Sequence, residues 1–227
     1  MNCPKHLVAI NGIPLLQRNI NLFNKYFNHT TYYVSIRDTT LINTYNVHKK
    51  ITFYISDTIF ENYDPPYKTL IPFLNKYNED VLILLGDVLF SEDCVKKIYE
   101  NSLKKNFNVF GRKTSSSITG CAWGELFAFY IPQEFKEYFI NGVNKINDLY
   151  IEKKLTRFSG WEIISYIYAE DKDHPDIHTI ILDILEKKKY PESFVVIDDE
   201  TEDFDFPNDY VMYLKRIIPK LRTAFDR

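Results

Sequence analysis

The chain of 227 residues is long enough to bury a substantial core and fits one large domain. Its 28 Lys and Arg stand against 31 Asp and Glu, so no basic footprint argues for nucleic-acid binding. No apolar run is long enough to span a membrane and no signal-peptide pattern opens the sequence, which reads as cytoplasmic.

Taken in order, strand-like and helix-like segments alternate. After the turn at Asn11-Gly12-Ile13-Pro14, the residues Leu15, Leu16, Ile20, Phe23 and Phe27 fall at helical spacing. Thr31 to Ile36 and Ile51 to Ile55 are short runs rich in β-branched and aromatic residues, predicted as strands. Pro65-Pro66 is expected to start a helix running towards Tyr77, with Pro72 as a kink. Val81 to Leu85 is apolar on both faces, as a central parallel strand would be. Ser91 is placed to cap a helix reaching about Leu103.

Phe107 to Arg112 and Leu126 to Ile131 are predicted as further strands. Gln133 to Lys154 is mostly helical in pattern, with Gly142 as a break. Gly160-Trp161-Glu162 opens a helix through about Ala169, and Asp176 to Lys188 is a further helical stretch. Phe194 to Ile197 reads as a strand and Asn208 to Phe225 as a closing helix. The alternation favours a three-layer α/β/α sandwich in a single domain, with a helix-rich lobe around 133–189.

Two acidic motifs carry the chemistry. The run from Asp80 to Leu85 breaks at Gly86-Asp87, which puts a carboxylate at the carboxyl end of a buried strand, where ligands gather in open α/β sheets. Asp87 is read as a metal ligand in preference to a helix cap, because Ser91 is better placed for capping. The second motif is Asp203-Phe204-Asp205-Phe206-Pro207-Asn208-Asp209-Tyr210. Asp209 suits the first turn of a helix. Asp205 is crowded by Asp198, Asp199, Glu200, Glu202 and Asp203, and such density costs repulsion unless the acids are solvated or neutralised by a cation. Both readings stand on the residues alone.

The remaining features are weaker. Lys5, in Pro4-Lys5-His6-Leu7, is a point charge able to meet a phosphate. Trp123, Gly124 and Glu125 lead into a strand and suit a polar pocket with an aromatic wall, or packing. Trp161 and Glu162 at a helix start carry the same two readings, since Glu in a first turn is good helix chemistry. The cysteines Cys3, Cys94 and Cys121 match no disulfide or zinc spacing and read as free thiols. No Gly-x-Ser-x-Gly elbow and no Walker A loop is present.

In order and spacing these motifs resemble the nucleotidyltransferases of the GT-A-like fold, among them sugar-phosphate nucleotidyltransferases, phosphocholine cytidylyltransferases and molybdopterin-guanylyltransferase-like proteins. The segment from Pro4 to Leu16 is similar to the family's "PKxLxxxxGxPLL", Leu84 to Val88 to its "GD" strand, and Asp203 to Tyr210 to its closing "DxDxPEDY". The resemblance implies a mixed, mostly parallel sheet. It implies Mg²⁺ held by Asp87 and Asp205, with Lys5 and Asp87 catalytic and Lys5 stabilising phosphate charge. Trp123, Gly124, Glu125, Trp161 and Glu162 would then face the acceptor. The implied partners are an NTP and a phosphorylated small-molecule acceptor, with neither nucleic acid nor membrane; a homo-oligomer is left open. An acceptor phosphate would attack the α-phosphorus of the NTP and release pyrophosphate.

The family begins with a strand and a glycine-rich loop, "LAAGxGxRxx", whose amides cradle the triphosphate. This sequence starts at Met1-Asn2-Cys3-Pro4 and carries neither. Upstream sequence is the preferred explanation; the others are a strand supplied by another chain, and a degenerate relative that binds nucleotide without turnover. A GT-A glycosyltransferase is a further alternative, disfavoured because Gly86-Asp87-Val88-Leu89 lacks an Asp-x-Asp.

Overall fold

The structure, a computed structural model, describes residues 7–28, 31–36, 51–55, 67, 70–120, 124–169, 176–185, 191–205 and 207–225. The chain folds as two compact units. One comprises Met1–Tyr26, Leu82–Tyr130 and Tyr190–Arg227, the other Phe27–Val81 and Ile131–Lys189.

The first unit opens with a hairpin, β1 (Ala9–Ile10) and β2 (Ile13–Pro14). Asn11 and Gly12 both have positive φ, 51° and 79°, as a tight two-residue turn demands. Helix α1 (Leu15–Phe23) follows directly and buries Leu15, Ile20, Leu22 and Phe23. It stops at Phe23, so Phe27 lies beyond the helix in which its spacing placed it. The ring of Phe23 meets Phe90 edge-on at 5.2 Å.

A four-stranded mixed sheet forms the body of this unit. Its strands are β5 (Val81–Leu84), β7 (Asn108–Arg112), β8 (Glu125–Ile131) and β9 (Phe194–Val196), in the order β5-β8-β7-β9. Strand β7 runs antiparallel to β8 and parallel to β9. Every residue of β7 is buried, and so are all of β8 beyond Glu125, as expected of a central sheet covered on both faces. Helix α3 (Glu92–Ser102) turns Cys94, Val95 and Ile98 inward. Its start is set by Ser91, whose Oγ accepts from the Cys94 amide at 2.9 Å.

Strand β8 carries an extra residue, Phe127, between the pairs Phe110–Ala128 and Gly111–Leu126. The carbonyl of Phe127 accepts from the Leu85 amide at 3.1 Å, which ties down the chain just before Gly86-Asp87. Gly111 lets the strands close here. A Cβ on it would stand 2.3 Å from the Glu125 carbonyl oxygen and 2.9 Å from the Phe194 ring.

Two very short strands, β6 (Val88–Leu89) and β10 (Glu202–Asp203), pair antiparallel. The closing helix α7 (Pro207–Phe225) packs Tyr213 on a small core of Ile10, Leu15, Leu89, Ile118 and Phe204. Phe204 lies edge-on to Tyr210 and Tyr213 at 5.9 and 5.5 Å.

The second unit holds the parallel pair β3 (Tyr32–Ile36) and β4 (Ile51–Ile55), helix α2 (Ile71–Lys76), and helices α4 (Lys136–Ile151), α5 (Gly160–Tyr168) and α6 (Ile177–Leu185). Pro65 and Pro66 lie outside the described residues. Pro72 sits in the first turn of α2 and kinks nothing, because the amide it lacks has no partner there. A 3₁₀ turn, Gln133–Phe135, leads into α4, which runs unbroken through Gly142. Gly142 is a contact position: a Cβ would come within 3.2 Å of Tyr166, so the glycine lets α4 and α5 approach. Asp80, ahead of β5, accepts from the Gln133 amide at 3.0 Å.

Replacing Gly111 with Ala forces the Glu125 backbone outward, and backbone cannot rotate aside as a side chain can. We expect a loss of about 1–3 kcal/mol, typical of overpacking, read as a lower urea midpoint with an unchanged slope.

Candidate functional site

The site is built where two distant segments meet. The turn at Gly86-Asp87 is closed by the Val88 amide on the Leu85 carbonyl at 3.4 Å. Beyond it, β6 pairs with β10, matching Val88 with Asp203 and Leu89 with Glu202. The Phe204 amide then donates to the Asp87 carbonyl at 3.3 Å. On the other side of the segment, helix α1 supplies side chains. Asn19 Nδ2 donates to the Val88 carbonyl at 2.7 Å, and Arg18 Nη1 to the Phe90 carbonyl at 2.8 Å. The strand after Asp87 is therefore held by β10 and by α1.

This arrangement gathers Asp87, Asp203 and Asp205, with one carboxylate oxygen of each within 4.8 Å of the others. Asp87 and Asp203 are half-buried and Asp205 is exposed. Three like charges so close repel one another unless water screens them or a cation neutralises them. Hard oxygen donors with an open, solvent-facing side fit Mg²⁺, which keeps several waters and takes few carboxylates. Asp203 extends the pair expected from the sequence. Its signal was the two-residue period: Glu202 and Phe204 are buried while Asp203 and Asp205 are not.

The other acids of this run have separate fates. Asp199 Oδ1 accepts from the Thr201 amide at 2.7 Å, in a local turn. Asp209 stands in the first turn of α7, as macrodipole chemistry suggests. Glu202 is fully buried, and its carboxylate accepts from Arg112 Nη2 at 2.8 Å and from Ser116 Oγ. Arg112 also reaches Glu125 through Nη2, the Thr114 carbonyl through Nε at 3.2 Å and the Thr201 carbonyl through Nη1 at 3.4 Å. A guanidinium held by two carboxylates and two carbonyls in the interior is a demanding arrangement, since losing one partner of a buried ion pair costs about 3–5 kcal/mol. No sequence pattern singled out Arg112, Ser116 or Glu202; the available signal was a charged residue ending an otherwise apolar strand.

The remaining expected residues are dispersed. Lys5 and Trp123 lie outside the described residues. Gly124 is buried ahead of β8, and Glu125 is paired with Arg112. Trp161 and Glu162 belong to the second unit, at the start of α5. Glu162 is buried and forms a capping box with Ser159, its carboxylate also accepting from Arg157 Nε at 2.6 Å. Gly86 has no positive φ, and a Cβ there would meet no atom within 4 Å, so the turn itself does not require glycine.

Among solved structures, the chain matches HddC from Yersinia pseudotuberculosis with a TM-score of 0.51. The match covers 96% of this chain and 91% of that one at 14% identity. The chain has a nucleotidyltransferase-like fold. A protein assigned as a glucose-1-phosphate thymidylyltransferase from Bacillus anthracis, solved with a sucrose, gives a TM-score of 0.49. That match is 12% identical over 92% of this chain and 86% of that chain. No protein-family model and no curated protein sequence matches. Among the described residues, no helix is long and apolar enough to cross a membrane.

Cys94 is buried beside the site, and burial pushes its thiol up to about 12, against a hydrogen bond with Thr201 that lowers it. A raised thiol pKa leaves almost no thiolate near neutrality. At pH 8, iodoacetamide is expected to leave Cys94 unmodified in the folded protein and to label it in urea, as read by peptide mass. Prompt labelling in the folded state would contradict this.

Proposed function

We propose that the chain is a Mg²⁺-dependent nucleotidyltransferase joining an NTP to a sugar phosphate or similar phosphorylated acceptor. The observation that carries this reading is the convergence of Asp87, Asp203 and Asp205 next to a strand end in a nucleotidyltransferase-like fold.

Asp87, Asp203 and Asp205 would hold the magnesium ion, whose positive charge offsets that of the triphosphate. Asp203 approaches from β10 and Asp87 from the turn just before its partner strand β6, and exposed Asp205 faces the solvent through which a nucleotide would arrive. An oxygen of the acceptor phosphate forms a bond to the α-phosphorus. The bond from that phosphorus to the bridging oxygen of the β-phosphate breaks, and pyrophosphate leaves with the electron pair. Lys5 is assigned to the phosphate charge during transfer. Trp123 and Gly124 are assigned to the acceptor, while Glu125 and Glu162 are engaged by Arg112 and Arg157. Placement and charge neutralisation supply the rate, with no covalent enzyme intermediate.

The test is pyrophosphate release from a panel of NTPs with sugar 1-phosphates as acceptors. Activity is expected to require Mg²⁺ and to fall at least about 100-fold in Asp87→Asn, equivalent to ~2.7 kcal/mol of transition-state stabilisation. Turnover unchanged by Asp87→Asn would refute the proposal. Tight NTP binding without any pyrophosphate release would point to a nucleotide-binding protein instead.

A further inference from the structure

Strand β10 is only two residues long, and its ladder to β6 is too short to fix the rotation of the strand about its own axis. Yet successive residues of a strand project to opposite sides. Glu202 points inward, with a fully buried side chain, and Asp203 and Asp205 point to the opposite side, into the carboxylate cluster. Whatever fixes Glu202 therefore aims Asp203. Arg112 is that fixture. It grips the Glu202 carboxylate and the neighbouring Thr201 carbonyl, and is itself set by Glu125 and the Thr114 carbonyl.

Ser116 completes the clasp. Its Oγ donates to the second Glu202 oxygen and accepts from the amides of Ile118 and Thr119, both at 2.9 Å. The clasp thus joins the end of β7, the loop after it, the start of β8 and β10 through one guanidinium and one carboxylate.

We infer that Arg112 and Glu202 are positioning residues, which hold Asp203 and Asp205 in the orientation that lets them share a divalent cation with Asp87. The inference rests on the metal reading of these aspartates given above. Both side chains are buried, at 7% and 0% exposure, so they act through the segments they hold.

Charge and position predict opposite signs here, and that makes the idea testable. Arg112 carries a positive charge near a cation site, so by Coulomb repulsion alone its removal tightens cation binding. Loss of positioning weakens it, by the 10–100-fold typical of groups that orient metal ligands.

The experiment is Mn²⁺ titration of the full chain, read as free Mn²⁺ by electron paramagnetic resonance, with folding checked by circular dichroism. We expect wild type to bind and Asp87→Asn to lose binding. Arg112→Gln is expected to bind at least about tenfold more weakly. Arg112→Lys, which keeps the charge and loses the planar fork, is expected to weaken binding in the same direction. Ser116→Ala changes no charge and removes one hydroxyl; it carries the test if the arginine variants do not fold, and a weaker affinity is expected there too. Ile98→Val, a buried change in α3, serves as the stability control and should leave Mn²⁺ affinity as in wild type. Folded Arg112 variants that bind Mn²⁺ as tightly as wild type, or Ser116→Ala with wild-type affinity where those variants do not fold, would overturn the positioning inference alone. Wild type without Mn²⁺ binding would overturn the metal reading and this inference with it.

Discussion

The first unit depends on the antiparallel pairing of β6 with β10, which brings the segment after Gly86-Asp87 against a segment far along the chain. So short a ladder is weak in itself. It persists because both partners are pinned from outside. Asn19 and Arg18 of α1 take the Val88 and Phe90 carbonyls that β10 does not reach. Arg112 and Ser116 take the Glu202 side chain, and Leu89 and Phe204 are buried under α7. With its backbone groups satisfied in this way, an irregular stretch can run through the interior without the penalty of unpaired donors and acceptors.

The same pinning separates two kinds of acid. Glu202 is enclosed with a donor on each carboxylate oxygen, Arg112 on one and Ser116 on the other. Half-buried Asp203 and exposed Asp205 gather instead beside Asp87, where a cation would relieve their mutual repulsion. One short strand so divides structural charge from chemical charge by simple alternation. The bulge at Phe127 and the close approach at Gly111 serve the same end, since they set both the Leu85 amide before the turn and the Glu125 side chain that helps fix Arg112.

The regular elements were legible in the sequence wherever periodicity ran long enough. Strands at 32–36, 51–55 and 81–84, and the Ser91-capped helix, follow directly from apolar pattern and turn chemistry. Gly142 and Pro72 misled because a breaker acts only where its backbone or side-chain deficit matters. Pro72 occupies a first turn, and Gly142 is a packing position. Strands β1, β2, β6 and β10 were not legible, because two residues carry no period and their pairing is set by distant contacts. At the site, Asp87 and Asp205 stood out as acids at a strand end and before a helix. Asp203 and Glu202 were indistinguishable from loop acids until their alternating burial was known. Arg112 did not stand out because its carboxylate partners, Glu125 and Glu202, lie 13 and 90 residues along the chain.

Asp87, Asp203 and Asp205 are proposed to form one cation site. Its most direct test is a crystal of the protein soaked in Mn²⁺, with the ion located by anomalous scattering. The expected result is a peak bonded by oxygens of all three aspartates at about 2.0–2.2 Å, close to the range for small hard cations. A peak elsewhere, or none while the three carboxylates turn to solvent, would contradict it.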